Sequence, residues 1–174
     1  LKKSESEIKI VLNKINEYLC VHINNQIQAG ADTVQIFDSW AGLIPHDKLF
    51  DYCYEPNNKV VNFCKEKKIP VICFPRGINK NYLDFAKIVK PDCLSLDFEI
   101  DPIWAKQKLS NYCLQGGLDP KILFKKEDEI FKEVDKYLHI FKGHPYIFNL
   151  GHGLLPETNP EVLKKVIERV NNFK

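Results

Sequence analysis

The chain has 174 residues, 44% of them hydrophobic and 28% charged, a make-up that suits a soluble globular domain with a core of its own. Its net charge of +2 argues against a nucleic-acid surface, and no uninterrupted apolar run approaches the ~18 residues that a bilayer span needs. Only two of the 25 basic residues are arginines, Arg76 and Arg169, so planar two-pronged clamps for carboxylates are scarce.

The opening "LKKSESEIKI" has no signal-peptide apolar stretch. Residues 6–28 set Ile8, Val11, Leu12, Ile15, Tyr18, Leu19, Ile23 and Ile27 at helical spacing, and Gly30 closes that amphipathic helix. "TVQIFDS" reads as a strand running into a loop, and 46–67 as helix on both sides of a break at Pro56. "PVICFP" (70–75) is a short, continuously apolar strand, 81–90 a helix and "DCLSLDF" (92–98) a strand. Asp101 and Pro102 mark the start of a helix over 101–109. "YCLQGG" (112–117) is a strand, 126–141 a helix, and "YIFNLG" (146–151) the fifth strand. Asn159-Pro160-Glu161 opens the last helix, with Val162, Leu163, Val166, Ile167 and Val170 on its apolar face.

Six cysteines occur without a C-x-x-C pair, and Cys73, Cys93 and Cys113 lie in apolar strand-like runs. There a thiol behaves as a small hydrophobe, so the set reads as reduced structural thiols of a cytoplasmic protein. With no methionine and Leu1 in front, the chain reads as a piece of something longer.

Short apolar strands alternating with helices predict an α/β fold of parallel strands joined by right-handed crossovers, either an open sheet or a run of β/α units from a barrel. No G-x-G-x-x-G or G-x-x-x-x-G-K-[ST] fingerprint occurs to favour nucleotide binding on an open sheet. The unusual polar clusters all follow a strand: Asp38-Ser39-Trp40, Arg76-Gly77, Asp97, Gln115 to Asp119, and Gly151-His152-Gly153. In a β/α barrel those positions share the face where active sites lie, which favours the barrel.

Five blocks carry a resemblance: "GADTVQIFDSWAG" (30–42), "PVICFPRG" (70–77), "LSLDFEID" (94–101), "LQGGLDP" (114–120) and "NLGHGLLPET" (149–158). In this order and spacing they closely resemble the second half of the uroporphyrinogen decarboxylase family, over essentially the whole chain. The resemblance implies a (β/α)8 TIM barrel, here partial, with about five parallel strands. Residues 1–174 would then be the C-terminal portion of a single barrel domain, with no second domain and the first three β/α units missing. It further implies a cytoplasmic homodimer of haem biosynthesis, without metal or prosthetic group, that converts uroporphyrinogen to coproporphyrinogen by removing four acetate carboxyls. Loss of carbon dioxide leaves an electron pair that needs a sink. Protonating the pyrrole carbon makes the ring that sink, and a carboxylate must then stabilise the developing positive charge. The family's carboxylate is an aspartate of the first half, as are its active-site tyrosine and arginine-rich loop. None of these is in this chain, so no catalytic residue is assigned here and the chain alone is expected to be inactive.

Residue by residue, Ser39 matches the family serine that contacts a substrate carboxylate, Phe37 the apolar wall beside it, and His152 the histidine at the cleft. Glycines on either side of His152 would let the backbone approach a ligand. Arg76 keeps a positive charge where most members read F-A-K and this chain reads Phe74-Pro75-Arg76. Gly117 stands where asparagine is usual, so any contact from that side chain is lost.

From residue chemistry alone, His152 is either a ligand contact or a solvated strand end. Ser39 is a binding hydroxyl or a cap. Arg76 is a cleft charge or half of a surface ion pair. Asp38 reads as a turn or cap partner, Asp97 and Asp101 as strand-end and cap residues, and His22, His46, His139 and His144 as solvated. Two competing functions remain. One is a non-catalytic tetrapyrrole- or partner-binding module. The other is a zinc-dependent corrinoid or thiol methyltransferase of the same fold, whose H-x-C donors would fall on Phe74 and Arg76 and its late cysteine on His152, where no soft-metal site can be built.

Overall fold

Helices and parallel strands alternate through residues 4–173, the part of the chain that the computed structural model describes. The helices are α1 (Glu5–Gln28), α2 (Glu55–Glu66), α3 (Tyr82–Val89), α4 (Pro102–Lys108), α5 (Glu127–Phe141) and α6 (Pro160–Asn171). The strands are β1 (Val34–Asp38), β2 (Val71–Pro75), β3 (Cys93–Leu96), β4 (Cys113–Gly116) and β5 (Tyr146–Ile147), in one sheet of order β1-β2-β3-β4-β5. The β1–β2, β2–β3 and β4–β5 pairs are parallel. An open doubly wound sheet reverses its order at a switch point. Sequential order without reversal is instead what consecutive β/α units of a TIM-type barrel give, so the strand order decides between the two architectures.

Two compact units divide between Leu94 and Ser95, within β3. In the first unit the core lies between β2, buried at every position, and the inward faces of α2 (Val60, Val61, Cys64) and α3 (Tyr82, Phe85, Ala86, Val89). Ser4 caps α1 through a reciprocal capping box with Glu7. The apolar stripe of α1 is wider than the face it buries: Ile23 is buried, while Val11, Ile15, Leu19 and Tyr18 are exposed, Tyr18 at 69%. Asn16 is buried too, and its Nδ2 donates to the Pro56 carbonyl at 3.2 Å.

The break expected at Pro56 is not there. Pro56 sits in the first turn of α2, inside a backbone that is already helical, and has no N–H to bond back to the preceding turn. The irregularity lies just upstream, as a π-helical turn over Phe50–Tyr54 that runs straight into α2. A short 3₁₀ turn over His46–Lys48 precedes it.

The second unit packs Leu96, Leu114, Leu118 and Leu123 with Ala105 and Leu109 of the α4 region and with Ile130, Val134, Tyr137 and Phe141 of α5. On α6 only Val166 is buried and Ile167 faces solvent. That helix is joined to α5 by Arg169 on Asp135 (Nε–Oδ1 2.8 Å) and by Lys165 on Glu127. The fifth strand is shorter than its apolar run: pairing stops at Ile147 and resumes only as a bridge from Leu150 to Leu118. At the point where pairing resumes, the Leu150 N–H is taken locally by Asn149 Oδ1 at 2.8 Å.

All six cysteines are unpaired thiols; Cys53, Cys64, Cys73 and Cys93 are buried, Cys20 and Cys113 half-buried. Burial pushes the Cys64 thiol up to about 11. Among the described residues, no helix is long and apolar enough to cross a membrane.

Candidate functional site

In the first unit three of the four expected site residues come from two adjacent strand ends. Register pairs Phe37 with Phe74 and Asp38 with Pro75. The Phe37 and Phe74 rings meet edge to face at 6.1 Å, which leaves Phe37 66% exposed. Ser39 and Trp40 continue β1 into a turn, Ser39 half-buried and Trp40 open to solvent.

Arg76 follows β2, and its backbone rather than its side chain is tied down. Its N–H donates to the Asp38 carbonyl at 3.1 Å, and its carbonyl accepts the Gly42 N–H at 2.8 Å. Gly42 lies so close to Gly77 that a Cβ there would come within 2.6 Å of the Gly77 oxygen. The turns after β1 and β2 are thus locked glycine to glycine. The half-buried Arg76 guanidinium makes no ion pair or hydrogen bond with the described residues, whereas Arg169 is committed to Asp135 and stacks over Phe131. Ser39 Oγ likewise has no partner among them. A free cation, a free hydroxyl and an exposed aromatic face at neighbouring strand ends can receive a carboxylate carried on a flat apolar ring.

Asp38 points elsewhere. Side chains alternate along a strand, so Asp38 faces away from Phe37. Its Oδ2 accepts from Asn57 Nδ2 at 3.1 Å, and the same amide donates to the Cys53 carbonyl at 2.9 Å. Asn57 and Cys53 are both buried. Burial holds the Asp38 carboxyl above the usual range, against hydrogen bonds from the Cys53 thiol and Asn57 that pull it down. Burial, then the charge of Asp38, pushes the Cys53 thiol far up, so it stays protonated and donates. Asp38 is therefore neither a cap nor a turn partner but a strand-to-helix tether. Nothing in the five blocks signals Asn57 and Cys53. The one available cue was an asparagine four residues after a cysteine on the apolar side of a helix.

His152 belongs to the second unit and is exposed, without a hydrogen bond to the described residues. Its position is set by Gly151, whose N–H donates to the Leu118 carbonyl at 2.7 Å and which is buried against the β3 end. A Cβ at Gly151 would sit 2.4 Å from Phe98 N and 2.9 Å from Asp97 C, so this glycine serves close backbone packing. Space around Gly153 is open. The β4 end beside it is held by two phenols: Tyr137 donates to the Gly117 carbonyl at 2.8 Å and Tyr146 to Gly116 at 2.7 Å. Burial raises Tyr137 to about 12.

The remaining polar candidates are structural. Asp101 caps α4 by accepting from Ile103 N at 2.7 Å, and Asp97, buried, accepts from Glu99 N at 3.0 Å. The other histidines are bonded rather than merely solvated, His46 to Asn81 and His144 to the Tyr112 carbonyl. Phe74 and Arg76 offer no metal donors, and among the described residues no three His, Cys, Asp or Glu side chains gather where a metal could bind.

The family profile described as uroporphyrinogen decarboxylase (URO-D) matches residues 1–173. The uroporphyrinogen decarboxylase of Jannaschia sp. is 35% identical over 154 residues, covering 87% of this chain and 45% of its own length. That of Paracoccus denitrificans is 35% identical over 163 residues (92% of this chain, 48% of the relative), and that of Orientia tsutsugamushi strain Ikeda 36% over 178 residues (98% and 52%). The chain thus spans about half the length of the curated relatives it matches. A solved methyltransferase from Methanosarcina mazei superposes with a TM-score of 0.76 at 19% identity, over 91% of this chain and 47% of that one, a likeness of fold.

Proposed function

Because the chain belongs to the uroporphyrinogen decarboxylase family, we propose that it supplies part of the substrate-binding wall of a cofactor-free decarboxylase that converts uroporphyrinogen III to coproporphyrinogen III. The observation that carries this reading is Arg76: one of only two arginines, half-buried at a strand end, and the one whose guanidinium has no partner among the described residues. A substrate with eight carboxylates calls for such a cation, and Ser39 and Phe37 beside it fit one arm and its pyrrole face. His152 donates to a further arm at its own strand end.

The wall binds and orients the macrocycle, while the pyrrole ring takes up the electron pair released with carbon dioxide. The carboxylate that stabilises the protonated ring comes from the half of the relatives' length that these 174 residues do not span. Alone, therefore, this chain binds the tetrapyrrole without turning it over. The wall belongs to one barrel domain of a cytoplasmic homodimer.

The test is fluorescence titration with coproporphyrin III as a stable probe, beside anaerobic incubation with uroporphyrinogen III. Arg76→Ala should weaken probe binding about tenfold, as loss of one charge-assisted contact implies. Unchanged binding would remove Arg76 from the site, and release of coproporphyrinogen by this chain alone would overturn the division of labour.

A further inference from the structure

The first unit holds a half-buried carboxylate that this reading leaves unused. Asp38 stands between the two wall residues Phe37 and Ser39, and its own carbonyl accepts the N–H of Arg76 at 3.1 Å. Its carboxylate reaches into the helix layer, to Asn57 at 3.1 Å and to the Cys53 thiol. A half-buried carboxylate whose oxygen meets a buried amide is costly unless its donors are fixed in place. These donors are fixed. Cys53 belongs to the π-turn and Asn57 to α2, four residues on, and the Asn57 amide bridges the two by donating to both Asp38 and the Cys53 carbonyl.

We infer that Asp38 is a positioning residue, a latch that through Asn57 and Cys53 fixes the end of β1 and with it the placement of Ser39 and Arg76. The inference rests on the proposed role of those two residues as carboxylate contacts. A strand end is otherwise a fraying element. The latch ties the end of β1 to the helix layer through side chains, in addition to its backbone pairing with β2. Its effect reaches Arg76 through one backbone bond and Ser39 through one peptide.

The test is amide hydrogen exchange on the chain, read together with coproporphyrin titration. Asn57→Leu keeps the bulk and removes the donor. It should speed exchange at the Arg76 and Gly42 amides about tenfold, while the amides of Val34 and Asp92, bonded to Pro70 and Val71 at the opposite end of the strands, change less than about twofold. Probe affinity should fall about fivefold with it. Asp38→Asn alone, in a chain that retains Asn57, keeps an acceptor oxygen for that amide and should leave both readouts within about twofold of the unaltered chain. Exchange that rises equally at all four amides, or not at all at Arg76, would overturn the latch. Local loosening in a chain that binds no porphyrin in any form would uphold the latch and bring down the functional reading instead.

Discussion

The end of β1 and the bend after the Leu150 bridge present Ser39 and His152 by opposite means. The β1 end is tethered by side chains: a carboxylate, a buried amide and a thiol. The bend is tethered by the lack of one, since Gly151 lets the backbone press against Phe98 and Asp97. The first arrangement is sensitive to charge and hydrogen-bonding capacity, the second to volume. In both, the residue offered to solvent is held through its neighbour, which leaves its own side chain free of internal partners.

The largest effect is expected where volume is tested. Gly151→Ala would place a Cβ 2.4 Å from a backbone nitrogen, and should cost about 3 kcal/mol in urea unfolding. Gly42→Ala meets the Gly77 carbonyl at 2.6 Å and should cost about 2 kcal/mol, with the turn bearing Arg76 displaced. Asn57→Leu leaves the half-buried Asp38 carboxylate short of a donor and should cost about 1–2 kcal/mol.

A gentler probe of the charged tether is pH. The folded-state pKa of Asp38 is raised, chiefly by burial. Its contribution to stability is therefore fully present below the unfolded carboxylate value of about 3.9 and is lost as pH rises through the folded value. Asp38→Asn cannot titrate, so the stability of the unaltered chain relative to this variant should fall across that window and level off above it. A flat difference would mean that Asp38 is not held as described. The smallest effect is expected at His152→Ala, within about 0.5 kcal/mol in stability because the ring is exposed and unbonded, with the loss confined to probe binding.

Element order and the strand-end clusters were legible because they rest on periodicity and local chemistry. β2 is a continuous apolar run buried throughout, and Asp101-Pro102 starts α4 as its composition implies. What was not legible depends on partners distant in the chain. The apolar run of β5 does not reveal that its pairing ends at Ile147, and the wide stripe of α1 does not reveal which of its residues α2 will cover. The site divided in the same way. Phe37, Ser39, Arg76 and His152 are visible in their motifs, whereas Asn57 and Cys53 gain meaning only once the segment before Pro56 is known to be a π-turn.

That turn has a consequence for the history of the sequence. A π-turn is what a helix becomes when it absorbs one additional residue without growing a new turn. Deleting one residue between Phe50 and Tyr54 would return the segment to ordinary α pitch and leave the helix on either side in phase, so α2 and Asn57 would keep their place. A gap of one at this point in a relative is therefore expected to alter the turn around Cys53 and to leave the amide that holds position 38 where it is.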